Sequence, residues 1–173
     1  MLFRSVAQLS AFPRYRALSN SQLTLADLQK NLRVGEGYYK LVLSGGKPFA
    51  LFVTSDAARV KALGISETDL NVMVALLRDS IVHDNNGHTE TPPFDIKTAH
   101  DLYVELFGPV EADLKAVTHL IFEPDGAMLQ LPVNLLVTDQ ASVDRFVERT
   151  RDPDADPFDM TGTAWLGDRK SVV

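Results

Sequence analysis

The chain has no cysteine among its 173 residues. This absence excludes disulfides, thiolate metal sites and a cysteine nucleophile within the chain, and it is typical of a reducing setting. The sequence also lacks an apolar run of the about 18–20 residues that a membrane-spanning helix needs. Its start lacks the charged stretch and apolar core of a signal peptide. We therefore expect a soluble, cytoplasmic protein with no membrane partner.

Basic residues are scarce outside the first third of the sequence. The net charge of −6 argues against a nucleic-acid-binding surface spread over the whole protein. Residues 1–63 carry nine Lys and Arg against three Asp and Glu, whereas residues 64–173 carry eight against twenty. Either the two parts solvate different faces of one fold, or a basic N-terminal face meets an acidic partner.

Complete catalytic and cofactor motifs are missing too. The sequence has no G-x-S-x-G nucleophile elbow, no G-x-x-x-x-G-K-[ST] loop and no G-x-G-x-x-G loop. The acidic stretch 152–156 begins like a calcium-binding EF-hand loop, but Pro157 and Thr163 stand where that loop needs Gly and Glu. We therefore predict no cofactor and interpret the stretch as an acidic loop that holds no metal.

Four histidines are the remaining candidates for chemistry. His83 and His88 share one polar loop with Asp84, but zinc needs a third ligand in fixed geometry and none has the right spacing. A solvated loop is the favoured interpretation, with a metal hydrolase that uses both histidines as an alternative. His100 falls on the polar side of a predicted helix, which indicates a surface position, and His119 opens an apolar strand. The residues alone predict no catalytic residue and no metal site.

The composition is that of an average globular domain. Apolar residues make up 45% and charged residues 23% of the chain, a usual balance for a folded protein. Helical spacing, β-branched runs and a Gly-Gly turn predict a mixed sheet flanked by helices, an α/β fold. The predicted elements are a helix capped by Thr24, a hairpin with strands at 38–43 and 49–54, a strand at 59–63, a helix from Ser66 to Ile81, a loop at 83–94, helices at 95–107 and 109–117, strands at 118–122 and 128–131, and a helix at 142–150.

The stretch from Ala99 to Asp139 carries a more specific pattern, in which an apolar strand is followed by a Pro-Asp-Gly turn and a Leu-Pro pair. With these features in this order, the stretch resembles the CHAT domain, a caspase-like module that commonly follows tetratricopeptide repeats in bacterial proteins. The resemblance extends over residues 20–140, with a weaker match at Trp165-Leu166-Gly167. The residues that form the structural motif are His119, Pro124, Asp125, Gly126, Leu131 and Pro132.

The motif residues have a structural role in this interpretation. Gly126 tolerates a positive φ, so Asp125-Gly126 is predicted to turn the chain between two buried strands. Pro132 has no amide to donate to a sheet and is predicted to end the second strand. The motif would thus build a sheet that supports a site and would do no chemistry itself.

The resemblance implies a clan of cysteine peptidases related to caspases and separase. Their dyad is a histidine, typically followed by glycine at a strand end, and a cysteine that ends a later strand. Here no histidine precedes glycine, and cysteine is absent. The resemblance therefore implies the non-catalytic N-terminal part of such a peptidase. Its partners would be a C-terminal catalytic half, upstream helical repeats and a protein partner or substrate.

We accordingly divide the chain into a connecting segment at 1–22, an N-terminal CHAT-like subdomain at 23–140, and an acidic loop with the start of the next subdomain at 141–173. Ser171 to Val173 are predicted to open a strand, so we expect a truncated piece of a longer, caspase-like fold. The rival hypothesis is a stand-alone protein-interaction module without enzymatic activity, which docks an acidic partner through its basic first third.

Overall fold

A computed structural model describes residues 24–81, 83–85, 88–90 and 92–173. The predicted connecting segment at 1–22 lies outside the described residues. In chain order, the described α-helices and strands are α1 (Leu25–Asn31), β1 (Glu36–Ser44), β2 (Lys47–Val53), β3 (Ala58–Ala62), α2 (Glu67–Asp79), β4 (His83–Asn85), β5 (His88–Glu90), α3 (Ile96–Phe107), α4 (Glu111–Lys115), β6 (His119–Glu123), α5 (Gln140–Arg149), α6 (Leu166–Arg169) and β7 (Ser171–Val172).

Local sequence determines where several of these elements begin. Thr24 Oγ1 accepts a hydrogen bond from the Asp27 amide at 3.2 Å, and the Asp27 carboxylate accepts one from the Thr24 amide. This capping box satisfies amides that the first turn of α1 leaves free. Gly45 and Gly46 join β1 to β2 with φ angles of 60° and 76°, which other residues adopt at a cost. The predicted first helix and hairpin are confirmed.

The sheet combines antiparallel and parallel strands. The first three strands form an antiparallel meander, β6 pairs in parallel with β1, and β7 pairs in parallel with β6. The strand order is β3-β2-β1-β6-β7. This mixed sheet with flanking helices confirms the predicted α/β fold, and Ser171 opens a strand as expected.

One stretch of the predicted polar loop has a different structure. Residues of β4 and β5 form a small antiparallel hairpin, with His83 opposite Glu90, where the sequence predicts a loop. Backbone hydrogen bonds hold such a pair together, so the polar composition neither indicates nor prevents it.

The core lies between α2, α3, α5 and one face of the sheet. Tyr39 of β1 is at its centre, with its ring 4.9 Å from that of Phe107 and its hydroxyl donating to the Leu106 carbonyl at 2.7 Å. Burial raises the pKa of Tyr39, so the hydroxyl stays protonated as a donor. Residues 141–173 contribute Val143 and Leu166 to the same core, and the division at residue 140 stays a prediction. No helix in the described ranges is long and apolar enough to cross a membrane.

Ion pairs join the basic first third of the sequence to the acidic remainder. Lys40 Nζ lies 2.5 Å from Glu123 Oε1, and Arg59 Nε lies 2.6 Å from Asp113 Oδ2. These side chains are partly solvent-exposed, so each pair stabilises the fold by at most about 1 kcal/mol. Some of the basic residues in the first third therefore neutralise acidic residues of the remainder within the same fold.

Candidate interaction site at the sheet edge

The predicted structural motif follows β6, and Asp125 connects it to the neighbouring strand. Asp125 Oδ2 accepts a hydrogen bond from the Leu43 amide at 2.9 Å, and Asp125 Oδ1 accepts one from the Gly126 amide at 2.8 Å. Hydrogen bonds to a charged acceptor contribute about 1.5–3 kcal/mol each. The carboxylate therefore fixes the chain after β6 against the end of β1.

Gly126 is required at its position for two reasons. Its φ of 55° lies in the left-handed region, which costs other residues roughly 1–2 kcal/mol. A Cβ at this position would also clash with Leu43 Cδ1. The close approach of Leu43 thus depends on the missing side chain.

The strand predicted at 128–131 is wrong, because Gly126–Gln130 form a 3₁₀ helix. The Met128 amide donates to the Asp125 carbonyl at 3.2 Å, which turns the Met128 side chain into the core. Gly126 therefore turns the chain from a strand into a helix rather than between two strands. A short apolar run looks the same in both cases.

Pro132 does not end a strand either. It precedes a second 3₁₀ helix, Val133–Leu135, and its φ of −63° suits that helix start. The Leu135 amide donates to the Pro132 carbonyl at 3.1 Å. Leu131 is buried beside it. The Leu-Pro pair therefore joins two short helices that line one side of a groove.

His119 occupies the start of β6, as the sequence indicates. Its Nδ1 lies 3.0 Å from Thr118 Oγ1, and its amide donates to the Gly35 carbonyl at 3.0 Å. The side chain is exposed, and the Thr118 hydroxyl beside it donates a hydrogen bond to the Gly35 carbonyl at 3.3 Å. Nothing in this geometry gives His119 a catalytic role.

The motif forms one wall of an apolar groove beside β7. The groove has a volume of about 400 Å³. Leu129 and Val173, two of its lining residues, are 70% and 83% exposed. The other lining residues are Phe122, Pro124, Met128, Gln130, Leu131, Pro132, Val133, Asn134 and Val172. Exposed apolar surface that is concentrated in this way is typical of an interaction site.

The backbone of β7 is open on the same side. The amides of Ser171 and Val173 donate to carbonyls of Thr118 and Leu120 on the β6 side, at 3.1 and 3.0 Å. Alternate residues of a strand point their backbone groups in opposite directions, so the amide and carbonyl of Val172 face away from β6. β7 is the last strand of the described sheet, and such an edge is a template for a further strand.

The Trp165-Leu166-Gly167 segment supports the groove from behind. The Leu166 amide donates to the Leu136 carbonyl at 2.8 Å, and the Leu166 side chain is buried. A Cβ on Gly167 would lie 3.1 Å from the Cβ of Asn134, a groove residue. Glycine thus allows α6 to pack closely against the second 3₁₀ helix.

Glu123 at the end of β6 forms a polar cluster with β1. The Lys40 ammonium and then the Tyr38 hydroxyl hydrogen-bond to its carboxylate and lower the pKa of Glu123. Burial, followed by the Glu123 carboxylate, raises the pKa of Tyr38. Glu123 is therefore ionised and Tyr38 protonated at neutral pH. This cluster joins two strands and contains no activated nucleophile.

His100 lies in the interior and not on the surface. It is 8% exposed, and its Nδ1 lies 3.0 Å from the Val137 carbonyl oxygen. The surface prediction is wrong because the chain before α5 covers this side of α3, which helix periodicity does not reveal. The side chains of His83 and His88 lie outside what the structure describes, so the metal-hydrolase alternative stays a prediction.

The acidic stretch is arranged in turns. Asp152 Oδ1 accepts from the Asp154 amide at 3.0 Å, and Asp156 Oδ1 accepts from the Phe158 amide at 2.9 Å. These side chains hydrogen-bond their own backbone, as Asp commonly does in turns. Among the described residues, no group of three or more acidic or histidine side chains could hold a metal ion.

The comparisons with known proteins concern the segment that builds the groove. Residues 97–154 match the family model described as the CHAT domain. The match covers about a third of the chain and runs from α3 through the motif into the acidic stretch. No curated protein and no solved structure matches the chain. The CHAT resemblance is confirmed for this segment, which indicates a caspase-like, peptidase-related module.

Proposed function

We propose that this chain is the non-catalytic N-terminal part of a CHAT-type, caspase-like cysteine peptidase that packs against and regulates a C-terminal catalytic half. The observation that carries the proposal is the apolar groove beside β7, because most of its wall belongs to the CHAT-matched segment. Upstream tetratricopeptide repeats and a bacterial, cytoplasmic setting belong to the same proposal.

The chemistry of cysteine peptidases supports a second component. The nucleophile in such enzymes is a thiolate whose formation an adjacent imidazole assists. This chain has no cysteine, and none of its four histidines precedes glycine. Both members of the dyad must therefore come from another polypeptide segment, and this chain would contribute structure and control.

The groove fits a strand and an apolar side chain from that segment. A strand added to β7 would pair with the amide and carbonyl of Val172. Burial of Leu129 and Val173 would contribute about 1.5–3 kcal/mol for each side chain. The catalytic half would thereby cover both the open edge and the exposed apolar surface.

A connection from the groove to α2 offers a route for regulation. Gln130, a groove residue, accepts a hydrogen bond from Arg78 near the end of α2. Asp125 holds the other end of the same 3₁₀ helix against β1. A partner that displaces α2 would thus move the groove wall and the half that docks there.

The test begins with the source gene beyond codon 173. We expect it to encode a His-Gly pair and then a cysteine, and we expect the purified downstream segment to bind this chain in isothermal titration calorimetry. Leu129→Asp should weaken binding at least about tenfold, because it places a charge in an apolar contact. Val60→Asp is the matched control, since Val60 is 68% exposed on β3 at the opposite sheet edge.

The following results would contradict the proposal. These are a downstream sequence without the dyad, no binding between the two segments, or equal weakening by Leu129→Asp and Val60→Asp. The first result would favour the stand-alone interaction module. Thiol-dependent cleavage of peptides by this chain alone would also overturn it.

A further inference from the structure

A second surface, separate from the groove, lies between α2, α3 and the start of α5. It is a cleft of about 630 Å³ and shares no lining residue with the groove. Ile65, Met73 and Val104 give it an apolar wall. Carboxylates of both helices line the same space, so the cleft combines an aliphatic surface with negative charge.

Two of these carboxylates have no cationic partner among the described residues. Asp101 forms an ion pair with Lys97 at 2.5 Å. Asp69 accepts from the hydroxyl of Ser66 at 2.7 Å, and Glu105 has no ion pair within the described ranges. The cleft therefore retains negative charge that the neighbouring side chains do not neutralise.

A buried histidine supplies an independent acceptor. His100 is more than nine-tenths buried and lines the cleft. The Val137 carbonyl can only accept, so the ring Nδ1 carries the hydrogen and Nε2 of the neutral ring has a free lone pair. No described residue hydrogen-bonds to Nε2. Although the residue is more than nine-tenths buried, Nε2 itself keeps some accessible surface, so a donor that enters the cleft can reach this lone pair.

These features together select an organic cation. The acceptors do not lie close enough together to hold a metal ion within the described residues. A guanidinium has five N–H donors spread over a planar fork, and an ammonium has three; both are carried on an aliphatic stem. The stem matches the apolar wall and the charge matches the carboxylates.

We propose that the cleft binds an arginine or lysine side chain of another protein segment. The acidic remainder of the sequence, with twenty Asp and Glu against eight Lys and Arg in residues 64–173, attracts such a partner over a distance. The site does not depend on the proposed catalytic half, so each can fail without the other.

The test is to titrate small compounds into the full chain and to monitor its backbone amides by ¹H–¹⁵N correlation spectra. The probe is Nα-acetyl-arginine N-methylamide, with the lysine derivative in parallel. The norleucine derivative has a stem but no charge, and methylguanidinium has the charge but almost no stem. We expect saturable shifts of cleft amides such as Gly64 and Val104 with the arginine or lysine derivative, and at least about fivefold weaker effects with the other two compounds.

Variants locate the interaction. Glu105→Gln should weaken binding about two- to fivefold, as expected for loss of a partly exposed charge pair. Gly64→Ala should also weaken it without a change of charge, because its Cβ would lie 3.2 Å from Glu105 Oε2 inside the cleft. Asp154→Asn is the charge-matched control, because Asp154 lies on the acidic stretch and does not line the cleft; it should leave binding unchanged.

Some results would overturn the proposal. These are shifts that do not saturate, equal binding of the norleucine derivative, or the same weakening by Asp154→Asn as by Glu105→Gln. The last result would show general attraction to an acidic protein and no defined site.

Discussion

Replacement of Gly126 by alanine tests whether the Pro-Asp-Gly turn depends on close packing. The positive φ of 55° costs alanine roughly 1–2 kcal/mol. The new methyl group would clash with Leu43 Cδ1. Because this atom ends a half-buried side chain that can rotate, the overpacking costs about 1 kcal/mol, the low end of the usual range. Alanine also restricts the unfolded chain more than glycine does, which stabilises the folded state by about 0.4–1 kcal/mol. We therefore expect Gly126→Ala to lower the free energy of unfolding by about 2 kcal/mol.

Gly45 provides the matched control for the backbone. Its φ is 60°, but a Cβ there would meet nothing within 4 Å. Gly45→Ala should therefore show the φ cost alone and lose only about 1 kcal/mol. Urea denaturation of both variants, with the midpoint and slope fitted separately, measures the difference.

A double-mutant cycle identifies the contact responsible. In a Leu43→Ala background the steric conflict is absent, so Gly126→Ala should then cost no more than Gly45→Ala. The cycle should therefore show a coupling of at least about 1 kcal/mol. If Gly126→Ala costs the same with and without the Leu43 side chain, the packing argument is refuted.

Two further predictions concern the sheet. Glu123→Gln should destabilise the protein by at most about 1 kcal/mol at pH 7. Because the pKa of Glu123 is lowered in the folded state, this loss of stability should shrink as the pH falls below about 4. Urea midpoints that differ by the same amount at pH 7 and pH 3 would contradict the prediction. Tyr39→Phe should cost about 1–2 kcal/mol in the same assay, because the Leu106 carbonyl loses a buried donor; an unchanged midpoint would show that this hydrogen bond adds no net stability.

Features that depend on neighbouring residues could be predicted from the sequence. The capping box at Thr24 and the turn at Gly45-Gly46 depend on interactions within a few residues, and both were correct. The interior position of His100 could not be predicted, because it depends on a segment almost forty residues away. The strand prediction at 128–131, where the structure has the 3₁₀ helix Gly126–Gln130, was wrong for another reason. Five residues are too few to distinguish a helix from a strand by periodicity.

The groove was outside the reach of sequence analysis for a related reason. Its two walls, residues 122–134 and 172–173, are 38 positions apart in the sequence (172 − 134) and meet because β7 pairs with β6. The single local indication was Leu129, an apolar residue that the 3₁₀ helix leaves 70% exposed beside the buried Met128. A buried residue followed by an exposed one is also what a β-strand with one buried face would show. The exposure of Leu129 could therefore not be recognised from the sequence without the fold.

The distribution of charge bears on the rival hypothesis of a stand-alone module with a basic docking face. Of the basic residues in the first third, Lys40 and Arg59 pair with carboxylates of the acidic part. Each pair removes one positive charge from the supposed docking face and one negative charge from the remainder. The acidic part has twelve more acidic than basic residues, and ten of these negative charges remain after the two pairs are subtracted. Two carboxylates of the cleft have no described cationic partner. Charge attraction therefore favours a basic partner over an acidic one, bound at the cleft between α2, α3 and the start of α5.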